Sequence, residues 1–147
     1  MREILYRAKA INRDSGYHRT NYKNGDFVYG LVTRLYDERF ENLPAEMTDI
    51  NGITGIEVDY KTIGQYTGLT DKNGTRIFEH DIIIWGKIPC VVKWDKEYAC
   101  FSLYKYGKFK VAGLNQDTMG LKEVIGNIHN TPELLKGENY GTGTGKA

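Results

Sequence analysis

The sequence predicts a mainly β protein, and three observations carry that reading. Eleven Tyr, five Phe and two Trp stand against only three Pro in 147 residues, and aromatic side chains favour the half-buried faces of strands. Seventeen Gly, many of them beside Asn or Asp, supply the tight turns that short strands need. Apolar and polar residues alternate in short runs between those turns. A chain of this length makes one domain or two small subdomains sharing a core. Its composition, 40% hydrophobic and 27% charged, is that of a folded globular protein.

The elements follow in order. Residues 3–11 read as a strand, with Ile4, Tyr6 and Ala8 alternating against Leu5, Arg7 and Lys9. The polar stretch 12–26 contains Asn24-Gly25, a turn dipeptide that tolerates positive φ. Residues 27–36 are a second strand, in which Phe27, Tyr29, Leu31 and Leu35 share one parity. Residues 37–49, polar with a central Pro44, read as a loop or short helical turn. Asn51-Gly52 and Gly55 flank a short strand within residues 53–58.

The second half is more densely punctuated. A strand over 63–66 leads into a loop ending at Asn73-Gly74, and residues 77–85 are a strand region interrupted by Glu79-His80-Asp81. Gly86-Lys87 and Asp95-Lys96-Glu97 separate strands over 88–94 and 98–104; in the latter, Ala99, Phe101 and Leu103 oppose Tyr98, Cys100, Ser102 and Tyr104. Tyr106-Gly107-Lys108 precedes a strand over 109–114, and 122–128 is the last. Thr131 as cap, Pro132 at the first helical position, Glu133 in the first turn and Gly137 as stop predict a short terminal helix. Residues 138–147 have no apolar anchor and are expected to be disordered. Short strands joined by tight turns are the signature of a small barrel or sandwich.

Charge and cysteine content narrow the function classes. A net charge of +1 gives no bulk electrostatic reason to expect a nucleic-acid or membrane partner. The first residues carry charges where a signal peptide needs an apolar run, and the longest apolar stretch, Ile82-Ile83-Ile84-Trp85, is too short to span a bilayer. Two cysteines make no disulfide framework, which points to a reducing cytoplasm.

Three stretches resemble the YopX family of phage and prophage proteins. They are Tyr6-Arg7-Ala8 with Phe27-Val28-Tyr29-Gly30; Thr62-Ile63-Gly64-Gln65-Tyr66-Thr67-Gly68-Leu69 with Asp71-Lys72-Asn73-Gly74 and Ile77 to Ile83; and Val124-Ile125-Gly126-Asn127-Ile128 with Asn130 to Leu135. The resemblance implies an SH3-like carboxyl-terminal barrel, a homo-oligomer, a bacterial host cytoplasm and no established activity. It divides the chain into an N-terminal β-rich subdomain (1–60), a barrel with its short helix (61–137) and a tail (138–147). Family members usually have Gly where this chain has His80; a positive φ there would be tolerated by His better than by most residues. They also tend to have Trp where Lys9 stands.

Few residues point to chemistry. Glu79-His80-Asp81 is the one cluster of potential metal ligands, but neighbours on a strand alternate faces and cannot converge on one ion; a turn with Asp81 accepting backbone hydrogen bonds is the better reading. Cys90 and Cys100 fall on two strands of one hairpin and read as buried thiols close across the sheet. Gly64, Gly68 and Gly74 read as turn glycines, because no Gly-Lys-Ser/Thr or helix start follows. His18 and His129 stand isolated in the sequence. Tyr104, Lys105, Tyr106, Lys108, Phe109 and Lys110 interleave cations with rings along one hairpin, which suits a partner protein or single-stranded nucleic acid. Lys87, Lys93 and Lys96 extend that patch; Asp95, Glu97 and Asp117 oppose it.

The expectation is therefore a phage accessory protein without enzymatic activity or cofactor. It self-associates and docks a phage or host protein. A nucleic-acid-binding module using the Lys/aromatic hairpin is the alternative.

Overall fold

The computed structural model describes residues 2–12, 21–35 and 44–137. Eleven strands are formed among them: β1 (Tyr6–Lys9), β2 (Phe27–Arg34), β3 (Ala45–Asp49), β4 (Ile56–Val58), β5 (Gly64–Thr70), β6 (Arg76–Phe78), β7 (Asp81–Trp85), β8 (Ile88–Asp95), β9 (Cys100–Lys105), β10 (Phe109–Gly113) and β11 (Val124–Asn127). One four-residue helix, α1 (Gln116–Met119), and 3-10 turns at Tyr60–Thr62 and Pro132–Gly137 complete the order. The chain divides into two compact units, Met1–Gln65 and Tyr66–Ala147, each with its own apolar cluster.

In the first unit the antiparallel order is β4-β3-β2-β1, with Gly64 and Gln65 of β5 pairing on the far side of β1. The sheet curls until β4 meets the continuation of β1 at a single bridge, Ala10 opposite Val58. Ile11 N–H donates to the Glu57 carbonyl there and Asp59 N–H to that of Lys9, each at 2.9 Å. Small side chains permit this curvature: Ala8, Ala10, Val28, Ala45 and Val58 are buried around Met47 and Ile56. Gly30 belongs to the same requirement, since a Cβ there would strike the carbonyl oxygen of Thr48 on β3.

One sequence expectation is corrected in this unit. Residues 45–49 form β3 rather than a loop, because Ala45, Met47 and Asp49 turn inward while Glu46 and Thr48 lie between them; residues 37–43 lie outside the described residues. In β2 the buried residues are Val28 and Gly30, and the parity shared by Phe27, Tyr29 and Leu31 is the outer one. Cations cover the outer face: the Arg7 guanidinium and the Lys9 ammonium lie 4.6 and 4.9 Å from the centre of the Phe27 ring.

The second unit holds the antiparallel order β10-β9-β8-β7-β11 and the hairpin β5–β6. Ile77, Ile83, Cys90, Val92, Leu103 and Met119 are its buried cluster. Among the described residues this second sheet does not close into the expected barrel. The predicted terminal helix is a 3-10 turn, and Thr131 does not cap it: its hydroxyl bonds the backbone N–H and carbonyl of Asn127, each at 3.1 Å. Helix α1 has too few residues to show a helical period; Asn115 caps it by accepting from Thr118 N–H at 2.8 Å.

One turn chemistry recurs in both units. In Asp49-Ile50-Asn51-Gly52, Asp49 Oδ1 accepts from the N–H groups of Asn51 and Ile53, both at 2.9 Å. In Asp71-Lys72-Asn73-Gly74, Asp71 Oδ1 accepts from Asn73 and Thr75 at 2.8 and 2.9 Å. Gly52 and Gly74 take φ of 87° and 78°, which glycine adopts without steric cost. The Asn-Gly pairs are visible in sequence. The aspartate two residues earlier is what fastens each turn.

Candidate functional site

Register decides which side chains share a face, because residues directly opposite on paired strands point the same way. Val91 pairs with Tyr104 and Tyr104 with Lys110, so these three lie on the outer face of the second sheet. Cys90 pairs with Lys105 and Lys105 with Phe109, on the face of the apolar cluster. The six predicted residues are therefore divided. Tyr104 and Lys110 fall on one face, Lys105 and Phe109 on the other, and Tyr106 and Lys108 in the turn between the strands.

Of their three cations, Lys110 is held in an ion pair. Lys110 Nζ forms an ion pair with Asp95 Oδ2 and stands 4.1 Å from the centre of the Tyr98 ring. That bond, with donation from Glu97 and Tyr98 N–H, holds the Asp95 carboxyl below the usual carboxylate range, and Asp95 in turn raises Lys110. Lys93 Nζ lies 5.1 Å from the Tyr104 ring centre and donates to the Gly107 carbonyl at 3.0 Å.

Beside this hairpin is a cleft of about 610 Å³. Val91 and Lys93 of β8, Tyr106 and Lys108 of the β9–β10 turn, His80 from the β6–β7 turn and Leu135 of the terminal 3-10 turn line it. His80 has φ of 75°, the left-handed conformation in which the sequence allowed for histidine. Its N–H donates to the Val92 carbonyl at 2.8 Å and its carbonyl accepts from Ile128 N–H at 3.0 Å. His129 is not isolated: its Nε2 lies 3.1 Å from His80 Nδ1, with the rings edge to face. Nothing local in the sequence signals a pair 49 residues apart. His18 lies outside the described residues.

The remaining candidates fall into structural roles. Asp81 is buried and its Oδ2 accepts from Phe78 N–H at 2.8 Å, fastening the turn into β7. Cys90 and Cys100 are free thiols, and the hairpin does not bring them together. Cys90 pairs with Lys105 and Cys100 with Asp95, five residues apart along β8, which is roughly 16 Å at the rise of a strand. Burial pushes the Cys90 thiol up from its ordinary value. Gly68 and Gly74 have positive φ, whereas Gly64 is a strand residue paired with Arg7.

Two antiparallel β units, the second carrying an apolar cleft edged by cations, define the class of protein. The chain belongs to the YopX family: it matches that family, described as YopX protein, over residues 33–136. It is also similar in fold to protein EF1440 from Enterococcus faecalis, whose crystal structure is 22% identical in sequence. That similarity covers 90% of this chain and 98% of the other, with a TM-score of 0.56. No curated protein matches the chain. Among the described residues no helix is long and apolar enough to cross a membrane.

Proposed function

We propose that this YopX-family chain is a phage or prophage accessory protein of the host cytoplasm that works by self-association, without catalysis. The observation that carries this reading is the open end of the second sheet. Among the described residues β10 is an edge strand there, on which Phe109 is 66% and Val111 36% exposed. Apolar side chains gathered at one edge favour association. A bulge between Lys110 and Ala112, together with Lys108 and Lys110, blunts the backbone edge against strand addition. The contact is therefore assigned to side chains, in an interface of roughly 800 Å² per partner. We read the second unit as SH3-like, which its meander of short antiparallel strands supports. Phage origin is supported by the family resemblance alone.

Nucleic-acid binding is the second reading, favoured by Lys105, Lys108 and Lys110 on one hairpin. The Asp95–Lys110 ion pair and the division of the hairpin between two faces weaken it. The two readings separate in solution. Light scattering coupled to size exclusion, on the wild type and Phe109→Asp, tests self-association; titration of labelled DNA at two salt concentrations tests the other, whose binding must weaken steeply with salt.

A further inference from the structure

We propose that the outer-face cleft of the second unit binds a linear peptide segment carrying an acidic residue beside a large apolar one. This surface is distinct from the Phe109–Val111 edge, and the inference stands whether or not the chain self-associates.

Backbone conformation singles out the cleft. Among the described residues only His80, Ala99 and Tyr106 combine a side chain with positive φ, at 75°, 52° and 54°. Two of the three line this one cleft. A left-handed residue with a Cβ costs on the order of 1 kcal/mol or more, and such residues concentrate where a binding surface demands a particular presentation. Both are clamped to β8: His80 N–H donates to Val92 and Tyr106 N–H to Pro89, at 2.8 and 2.9 Å. Those two partners bracket Val91, which lines the cleft and is almost wholly buried.

Shape and charge then set the ligand class. A cleft of about 610 Å³ lies within the range of roughly 300–1,000 Å³ typical of ligand sites. Trp94, Ile128 and Leu135 offer it an apolar surface above the buried Val91, which suits a phenylalanine or leucine side chain. Lys93 and Lys108 outnumber Glu79 among the charged lining residues, so an acidic neighbour is favoured over a basic one. The Lys93 ammonium gives one N–H to Gly107, leaving two for a carboxylate.

The test is titration of the full ¹⁵N-labelled chain with acetyl-Asp-Glu-Phe-Leu-Glu-Asp-amide and with the same peptide bearing lysine for each acid. The expected result is saturable shifts at Val91, Lys93, Tyr106 and Leu135 with the acidic peptide, and at least tenfold weaker binding of the basic one. Lys93→Glu/Lys108→Glu should weaken the acidic peptide by a similar factor. Tyr106→Gly, which removes the ring while relieving the backbone, should keep the fold and also lose affinity. Equal binding of both peptides, shifts confined to residues outside the cleft, unchanged affinity in both variants, or no shift at millimolar peptide would overturn the proposal. So would an oligo(dT) that displaced the acidic peptide from the same residues, since the cleft would then be a nucleic-acid site.

Discussion

Asp71 Oδ2 accepts a hydrogen bond from the backbone N–H of Val124 at 3.0 Å, joining residues 53 apart in the sequence. With Oδ1 holding Asn73 and Thr75, one carboxylate secures the β5–β6 turn and the start of β11 together. Two stretches that carry the YopX resemblance thus meet at this side chain. Burial alone would raise the Asp71 pKa, but the donors from Val124, Asn73 and Thr75 outweigh it and hold the carboxyl below its ordinary value.

Asp71→Ala leaves those N–H groups without an acceptor and is expected to cost about 2–3 kcal/mol in urea unfolding. The sign with pH follows from the lowered folded pKa. The carboxylate's contribution is complete above the unfolded value of about 4 and is lost as pH falls through the folded value. Wild-type stability should therefore drop on acidification below about pH 4, and the variant should show a shallower drop.

Tyr22 gives the complementary behaviour at high pH. Burial first, and then its hydrogen bond to Asp49 Oδ2 at 2.8 Å, push the phenol up to about 12. A raised folded pKa means stability that is present below pH 10 and is lost between about 10 and 12. Absorbance titration near 295 nm should show one tyrosine ionising late, and Tyr22→Phe should remove that step and the accompanying loss of stability.

At His80 two variants separate backbone from side chain. Both His80→Gly and His80→Ala lose the contact with His129. Only glycine relieves the φ of 75°, so the Gly variant should be more stable than the Ala variant by about 1 kcal/mol. Equal stabilities in chemical denaturation would mean that the left-handed conformation is not populated in solution.

The two thiols should behave independently. Native protein should react with Ellman's reagent first at Cys100, which is part-exposed, while Cys90 reacts only on unfolding. Non-reducing mass spectrometry should find no bond between them, because the register holds them about 16 Å apart.

Local chemistry is what the sequence made legible. The turns at Asn24-Gly25, Asn51-Gly52 and Asn73-Gly74 follow from residues that accept positive φ, and each glycine adopts it. At His80 only the resemblance, through the glycine usual there, raised the same conformation, which the residue adopts. The buried face of β2 was not readable, because its large rings face outward beneath Arg7 and Lys9 while Val28 and Gly30 fill a tightly curved interior. Strand β3 was hidden because Asp49, a polar residue, is buried by its turn bonds and by Tyr22. The cleft could not be read at all. Val91, Tyr106, His80 and Leu135 come from four separate segments, brought together by the pairing of β7, β8 and β9 and by the terminal 3-10 turn.

The proposed function stands on self-association through the exposed Phe109 and Val111 side chains of the β10 edge. Size exclusion with multi-angle light scattering at micromolar concentration tests it most directly. The expected mass is at least twice 16.8 kDa for the wild type, and that of a monomer for Phe109→Asp with unchanged circular dichroism. A wild-type mass of 16.8 kDa across that concentration range would contradict it.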